Sequence, residues 1–237
     1  MKLPISPRLL TCAGLVAPGD RVADIGCDHG YLSIYLLINN IASSVIASDV
    51  REQPLQSAVR NSVKYGVRDR ISFYLSDGVR NIPRDFDTLV CAGMGGDTMI
   101  HILESAKWLQ DYKYRLILQC QSKTPLLRRY LSDNGWRITE ESVLRDGKFL
   151  YTVMEVLYQP GYTLSVGEWY FPPALLENPG VELPAYYRWV LEGLRIATAH
   201  QEDPEKAAAL AELEALGSTP ELSFLTEVQP GQLFPIF

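Results

Sequence analysis

The stretch Asp24-Ile25-Gly26-Cys27-Asp28-His29-Gly30-Tyr31 decides the fold. It ends an apolar, β-rich run at 21–25 and opens a helical pattern at 30–40. Two glycines and two acids therefore fall at a strand-to-helix turn, where open α/β sheets hold their ligands. Outward from this turn the same alternation continues. Runs at 44–48, 71–75, 88–92 and 114–120 read as strands, and 51–65, 96–108 and 124–134 read as helices. The last of these has Ser122 or Thr124 as N-cap and Pro125 in its first turn. Strand followed by helix throughout predicts βαβ units on a parallel sheet.

Past Gly135 the pattern changes to two β-rich segments, 136–145 and 149–158, joined by the turn signal Asp146-Gly147. The fold class expected is α/β: a Rossmann-like, mostly parallel sheet that ends in an antiparallel hairpin. Before the first strand, Ser6-Pro7 and the apolar residues Leu9, Leu10, Leu15 and Val16 read as a capped amphipathic helix at the mouth of the sheet. Pro160-Gly161 closes this first unit, giving expected domains of 1–160 and 161–237. In the second, Pro172-Pro173, Pro179-Gly180 and Pro184 interrupt regular structure. Tyr187, Val190, Leu191, Leu194 and Ala197, then Ala207, Leu210, Leu213 and Leu216, recur at helical spacing on either side of Asp203-Pro204. This predicts a helical hairpin ended by Gly217 and Pro220, with 222–237 left unassigned.

Composition narrows the class. Hydrophobic residues make up 47% and charged residues 21% of the 237, the balance of a globular chain rather than a disordered or membrane one. No apolar run approaches the ~20 residues that cross a bilayer, and the opening residues lack the apolar core of a secretory signal. A cytoplasmic protein is expected. Cys12, Cys27, Cys91 and Cys120 show no metal-ligand or disulfide spacing, so no metal is expected and the thiols read as reduced core residues. The net charge of −6 is unevenly placed. Residues 1–158 hold 19 Lys and Arg against 17 Asp and Glu, a net of +2, whereas 159–237 hold 3 against 11, a net of −8.

The acids of the loops select among ligands. A dinucleotide fingerprint would need glycines at 28 and 31, where Asp and Tyr stand. An acid there would also repel a pyrophosphate. Asp24 and Asp28 suit a cationic, phosphate-free ligand instead, and S-adenosyl-L-methionine, with its sulfonium and ammonium groups, is one. Gly26 and Gly30 let the backbone approach it. Asp49, followed by Val50, ends the second strand 23 residues after Gly26, close to the ~20 expected of an acid that binds ribose hydroxyls. Asp77-Gly78 ends the third, where a carboxylate meets an exocyclic amine. The fourth strand runs into Ala92-Gly93-Met94-Gly95-Gly96-Asp97, a bare backbone against which a planar group can lie.

The 24–31 stretch, the Ala92–Gly96 turn and the opening Ile5-Ser6-Pro7-Arg8-Leu9 resemble the bacterial tRNA adenine N1-methyltransferases that modify position 22, a class I S-adenosyl-L-methionine-dependent family. The resemblance covers 3 to about 216 and matches in domain plan. It implies the seven-stranded sheet of that class, with Asp24, Gly26, Asp28, His29, Gly30, Asp49, Val50, Asp77, Gly78, Gly93 and Met94 at the methyl donor and tRNA as partner.

Adenine N1 carries an in-plane lone pair, so its methylation rests on positioning, and Asp28, His29 and Asp97 are the candidates by position for steadying the cationic ring that forms. Tyr31 and Tyr35 stand where a base could stack. Arg8, Arg51, Arg60, Lys64, Arg68, Arg70, Arg80 and Arg84 gather near the mouth as a phosphate track. In the acidic appendage Arg188, Arg195 and Lys206 are the candidates for RNA contact. A monomer or weak dimer is expected. Two further readings compete: a small-molecule methyltransferase using the hairpin as a lid, and a protein that binds S-adenosylmethionine or RNA without chemistry.

Overall fold

The computed structural model describes residues 3–200 and 202–227. Helix α1 (Pro7–Gly14) begins where Ser6, in extended backbone, accepts the Leu9 N–H on its side chain. Strand β1 (Arg21–Ile25), helix α2 (Tyr31–Ile38), strand β2 (Ser44–Asp49), helix α3 (Glu52–Lys64) and strand β3 (Ile71–Leu75) form the first half of a doubly wound unit. Strand β4 (Thr88–Gly95), helix α4 (Gly96–Ser105), strand β5 (Arg115–Ser122) and helix α5 (Thr124–Asp133) form the second, and strands β6 (Trp136–Asp146) and β7 (Phe149–Tyr158) close the sheet. The sheet has seven strands in the order β3-β2-β1-β4-β5-β7-β6. Strands β1 to β5 run parallel, and β7 pairs antiparallel with both β5 and β6. Strand order reverses between β1 and β4, which opens a crevice at their carboxyl ends.

Two cores lie on opposite faces of the sheet. One gathers α4 and α5 around Leu89, Met99, Leu116, Leu127 and Trp136, and the other gathers α1, α2 and α3 around Cys12, Ile34, Val45, Val90 and Ile117. All four cysteines are free and buried.

The sequence-predicted boundaries shift in three informative places. Helix α4 stops at Ser105 rather than running on to 108, because Ala106 leaves the helical region and a 3-10 turn, Lys107–Leu109, drives Leu109 into the core. Strand β4 extends to Gly95 through an irregular register at Ala92 and Met94, so the glycine-rich turn belongs to the strand end. Neither Ser122 nor Thr124 caps α5. Ser122 is still paired with Gly95, and the reversal falls on Lys123, which takes a left-handed φ of 59°.

Beyond β7 the chain forms two short helices, α6 (Val166–Tyr170) and α7 (Ala174–Glu177), and then the expected hairpin of α8 (Leu183–His200) and α9 (Pro204–Gly217). Asp203 caps α9 by accepting the Lys206 N–H. A 3-10 turn, Pro220–Leu225, buries Leu225 against the hairpin. The unassigned stretch 222–237 is thus partly structured, and its residues 228–237 lie outside those described. A buried ion pair fastens this appendage to the sheet. Arg128 on α5 and Glu141 on β6 are both fully buried, with Nη2 to Oε1 at 2.6 Å. The same guanidinium donates to the carbonyls of Trp169 and Tyr170 and to the Tyr186 hydroxyl.

Candidate active site

At the end of β1 the chain turns on Gly26, φ +73°, and the N–H groups of Gly26 and Cys27 both donate to the Ser48 carbonyl at 2.8 Å. The first loop is thereby tied to the end of β2. The Asp49 carboxylate ties it again, accepting the Asp28 N–H at 3.2 Å and the Arg51 N–H at 2.9 Å. Behind them Asp24 is 3% exposed and accepts the Ser33 hydroxyl at 2.6 Å. Burial pushes its carboxyl up to about 6, against the pull of that hydrogen bond. At the end of β3, Ser76 Oγ donates to the Gly78 carbonyl and accepts the Asn81 N–H. At the end of β4, the Gly93 N–H donates to Gln119 Oε1 at 3.0 Å, an oxygen that also accepts from Arg8 Nη1 at 3.1 Å.

These loops enclose a cavity of about 500 Å³. Asp24, Gly26, Asp28, Asp49, Val50, Asp77, Gly78, Gly93 and Met94 line it, nine of the eleven residues that the sequence placed at a methyl donor. His29 and Gly30 do not. His29 sits on the rim with Nε2 3.7 Å from Asp28 Oδ2, its ring centroid 5.8 Å from that of Tyr31 and its carbonyl accepting Asn61 Nδ2. Gly30 serves packing: a Cβ there would stand 2.9 Å from the Ala58 Cβ of α3.

Of the three candidates for handling charge, only Asp28 reaches the cavity. Asp97 points away, ion-paired with Lys123 at 2.5 Å in a separate surface depression it shares with His101. The expected phosphate track also breaks up. Arg8 faces the donor cavity, held by Asp146 at 2.8 Å and lying over the Tyr151 ring. Arg70 donates to the carbonyls of Leu37, Ala42 and Ser43, Arg68 lies over Phe73, Arg84 over Trp108, and Arg80 pairs with Asp77. Arg51, Arg60 and Lys64 remain; Arg60 and Lys64 have no carboxylate partner among the described residues, while Arg51 stands at the edge of the donor cavity, which it also lines, with a long approach of 3.9 Å to Asp49. Tyr31 is half-buried beside His29, and Tyr35 packs in the α1–α3 core. In the appendage Arg195 pairs with Glu214, Lys206 with Asp203, and Arg188 donates to the carbonyls of Leu225 and Glu227.

Sequence reading missed Gln119, Gln121, Ser33, Ser76 and Thr98. Gln119 had a signal: it is a long polar side chain in the otherwise apolar run Leu116-Ile117-Leu118, and a fully buried amide needs partners.

The sheet order, the strand-end acids and the glycine turns are those of a class I methyltransferase. The family model described as a methyltransferase domain matches residues 5–154. The Bacillus subtilis tRNA (adenine(22)-N(1))-methyltransferase is 36% identical over 154 residues, an alignment spanning 65% of this chain and 65% of that relative's own length. The crystal structure of the B. subtilis m1A22 tRNA methyltransferase TrmK superposes with a TM-score of 0.75 at 28% identity, covering 94% of this chain and 98% of that one. Sp1610 of Streptococcus pneumoniae, solved in complex with S-adenosyl-L-methionine, superposes with a TM-score of 0.78 at 31% identity, covering 88% and 99%. The chain belongs to the bacterial tRNA (adenine-22-N1)-methyltransferase family of S-adenosylmethionine-dependent enzymes.

Proposed function

We infer that this protein transfers the methyl group of S-adenosyl-L-methionine to N1 of adenine 22 in tRNA. The observation that carries the reading is the convergence of Asp24, Asp49 and Asp77, from the ends of three successive strands, on one cavity with bare glycine backbone at 26, 78 and 93. That donor set fits the cofactor. Carboxylates suit a ligand with ammonium, sulfonium, ribose hydroxyls and an exocyclic amine, and the cavity has room where side chains at the glycines would intrude. A Cβ on Gly26 would run into the Met94 methyl, on the wall of the same cavity. When bound, the cofactor supplies an electrophilic methyl group on sulfur.

The residues divide the work by position. Asp49, held by two backbone N–H groups, receives the ribose hydroxyls; Asp77 receives the adenine amine; Asp24 and Asp28 face the cationic end. Arg8, expected on the RNA, takes the carboxylate of the methionine moiety instead, as the cavity's cation on α1. The acceptor N1 needs no base to expose its lone pair. Positioning to about 3–3.5 Å in line with the methyl is the main requirement, and Asp28, exposed at the cavity edge, steadies the positive ring that results. Gln119 holds Gly93 and Arg8 together and so fixes the wall between donor and acceptor.

Arg51, Arg60 and Lys64 meet the RNA backbone. The division at 160/161 into a methyltransferase unit and an appendage, the cytoplasmic location and a monomer or weak dimer belong to the same reading; no described helix is long and apolar enough to cross a membrane. Labelled-methyl transfer to unmodified tRNA tests it, with primer extension expected to stop at adenosine 22. Donor binding without incorporation into any tRNA would overturn it. Asp49→Ala should weaken donor binding by tenfold or more, since hydrogen bonds to a charged group contribute about 1.5–3 kcal/mol each; unchanged affinity would remove Asp49 from the donor site.

A further inference from the structure

A second cavity, of about 290 Å³, lies between the end of β5, the start of β7 and helix α8. Its walls are aromatic. Tyr170, Tyr186 and Trp189 line it, the Tyr186 and Trp189 rings are 5.8 Å apart, and Trp189 is left 38% exposed. Gly193 sits one turn along from Trp189 on the same face of α8. Glycine is among the poorest helix formers, and here its missing side chain keeps the groove open.

The floor carries an unmet polar group. Thr152 is 3% exposed and lines the cavity, and its Oγ1, turned away from the open space, has no hydrogen-bond partner, so a turn of χ1 is what brings it to an occupant. A buried hydroxyl without a partner is costly, and a purely apolar occupant would leave it so. A planar heterocycle with ring nitrogens or an exocyclic oxygen would not. The rim holds Lys123 and Lys206, the latter one of only three cations in the acidic 159–237 segment. Each is paired with an exposed or half-exposed carboxylate, a weak arrangement that a phosphate can replace. Gln121 lines both this cavity and the donor cavity.

We propose that this cavity holds an unstacked nucleobase of the tRNA, that of a nucleotide next to the acceptor adenosine. Its ring stacks on Trp189, its edge meets Thr152 once the hydroxyl turns about χ1 into the cavity, and its phosphate lies beside Lys123 and Lys206. The site rests on the tRNA reading above and adds a second point of recognition to it. It is not the acceptor's own seat, because the acceptor N1 must come within about 3–3.5 Å of the methyl, inside the donor cavity and on the other side of Gln121. RNA recognition uses aromatic platforms of this kind for splayed-out bases.

The test uses the full chain and unmodified tRNA transcripts carrying 2-aminopurine at the nucleotide before, the nucleotide after, or in place of adenosine 22. With saturating protein, one flanking probe is expected to be several-fold brighter on Trp189→Ala than on the wild type, because the stacking partner is gone. Gly193→Leu fills the groove while improving helix propensity. It is expected to raise the KM for tRNA tenfold or more, with kcat and donor affinity within twofold of the wild type and the melting temperature not lowered. Thr152→Val should raise the same KM a few-fold. An unchanged KM in Gly193→Leu, or a response confined to the probe at the acceptor position, would overturn the proposal while leaving tRNA methylation standing. A wild type that methylates no tRNA would sink both.

Discussion

Asp24 holds its carboxylate in a buried pocket behind the donor cavity, with the Ser33 hydroxyl as its hydrogen-bond donor. Burial, with a smaller push from the Asp49 charge, raises the carboxyl to about 6, from 3.8. The native chain then holds this proton where the unfolded chain has lost it. Stability consequently falls as pH rises from about 4 to about 6, by about 3 kcal/mol, and levels off above. Asp24→Asn removes that term, so the donor-free variant should be more stable than wild type at pH 7–8 and equal to it near pH 4. Urea midpoints across that range check this, and parallel curves for the two proteins would contradict it. A cationic ligand reverses the balance, because it favours the ionised carboxylate. Donor affinity by calorimetry should therefore fall below pH 6, towards tenfold per pH unit, and the fall should be shallower in Asp24→Asn. The same carboxylate that weakens the empty protein is thus the group that makes the site fit a cation.

Elements show where the sequence was legible and where it was not. β1, β3 and β7 fall at the bounds read from their sequence, since each is a β-rich run closed by a local turn or breaker signal, at the sheet's centre and at its edge alike. The ends of α4 and β4 and the cap of α5 were hidden, because each is set by contacts made elsewhere in the chain: the pocket for Leu109, and the Gly95–Ser122 pairing, which both lengthens β4 and leaves the cap of α5 to Lys123. Site residues divide in the same way. The glycines and acids of the loops announce themselves, whereas Gln119 and Arg8 gain their places only when β4, β5 and α1 meet. Gly30 was visible, and the structure adds two requirements the sequence did not show, a left-handed backbone and the packing of α2 on α3. Gly30→Ala should cost about 1–3 kcal/mol from the left-handed backbone alone, more with the contact to Ala58, and a loss under 0.5 kcal/mol in denaturant melts would refute that account. The Arg128–Glu141 pair binds elements of the sheet to the appendage. Arg128→Met leaves a buried carboxylate unpaired and should cost about 3–5 kcal/mol. Arg128→Met combined with Glu141→Leu should recover part of that loss, an additive double variant being the result that would count against the pair.

At the scale of the molecule the question is how a chain of net charge −6 would hold the tRNA proposed as its substrate. The split between +2 in 1–158 and −8 in 159–237 locates the attraction on the sheet side, and the ion pairs thin it further, since most of the arginines gathered near the mouth are spent on carboxylates, carbonyls or rings. Arg51, Arg60 and Lys64 are what remains, and α3 sets the last two one turn apart on a face beside the His29 loop, where Asn61 meets the His29 carbonyl. Three phosphate contacts on this face, and a fourth where the proposed base site sets a phosphate beside Lys123 and Lys206, at ~0.7–0.9 in the salt slope for each, give a slope of about −3 to −4 in log affinity against log salt. Between 50 and 200 mM salt, tRNA affinity should then fall roughly 50- to 150-fold, less than for a protein with six to ten such contacts. Arg60→Glu with Lys64→Glu should flatten the slope by about 2 and weaken tRNA binding severely, with donor affinity unchanged because neither residue lines the donor cavity. A wild-type slope steeper than about −5 would mean that further paired cations, besides Lys123 and Lys206, let go of their partners to meet the RNA. A slope near zero would mean that shape and stacking alone hold it.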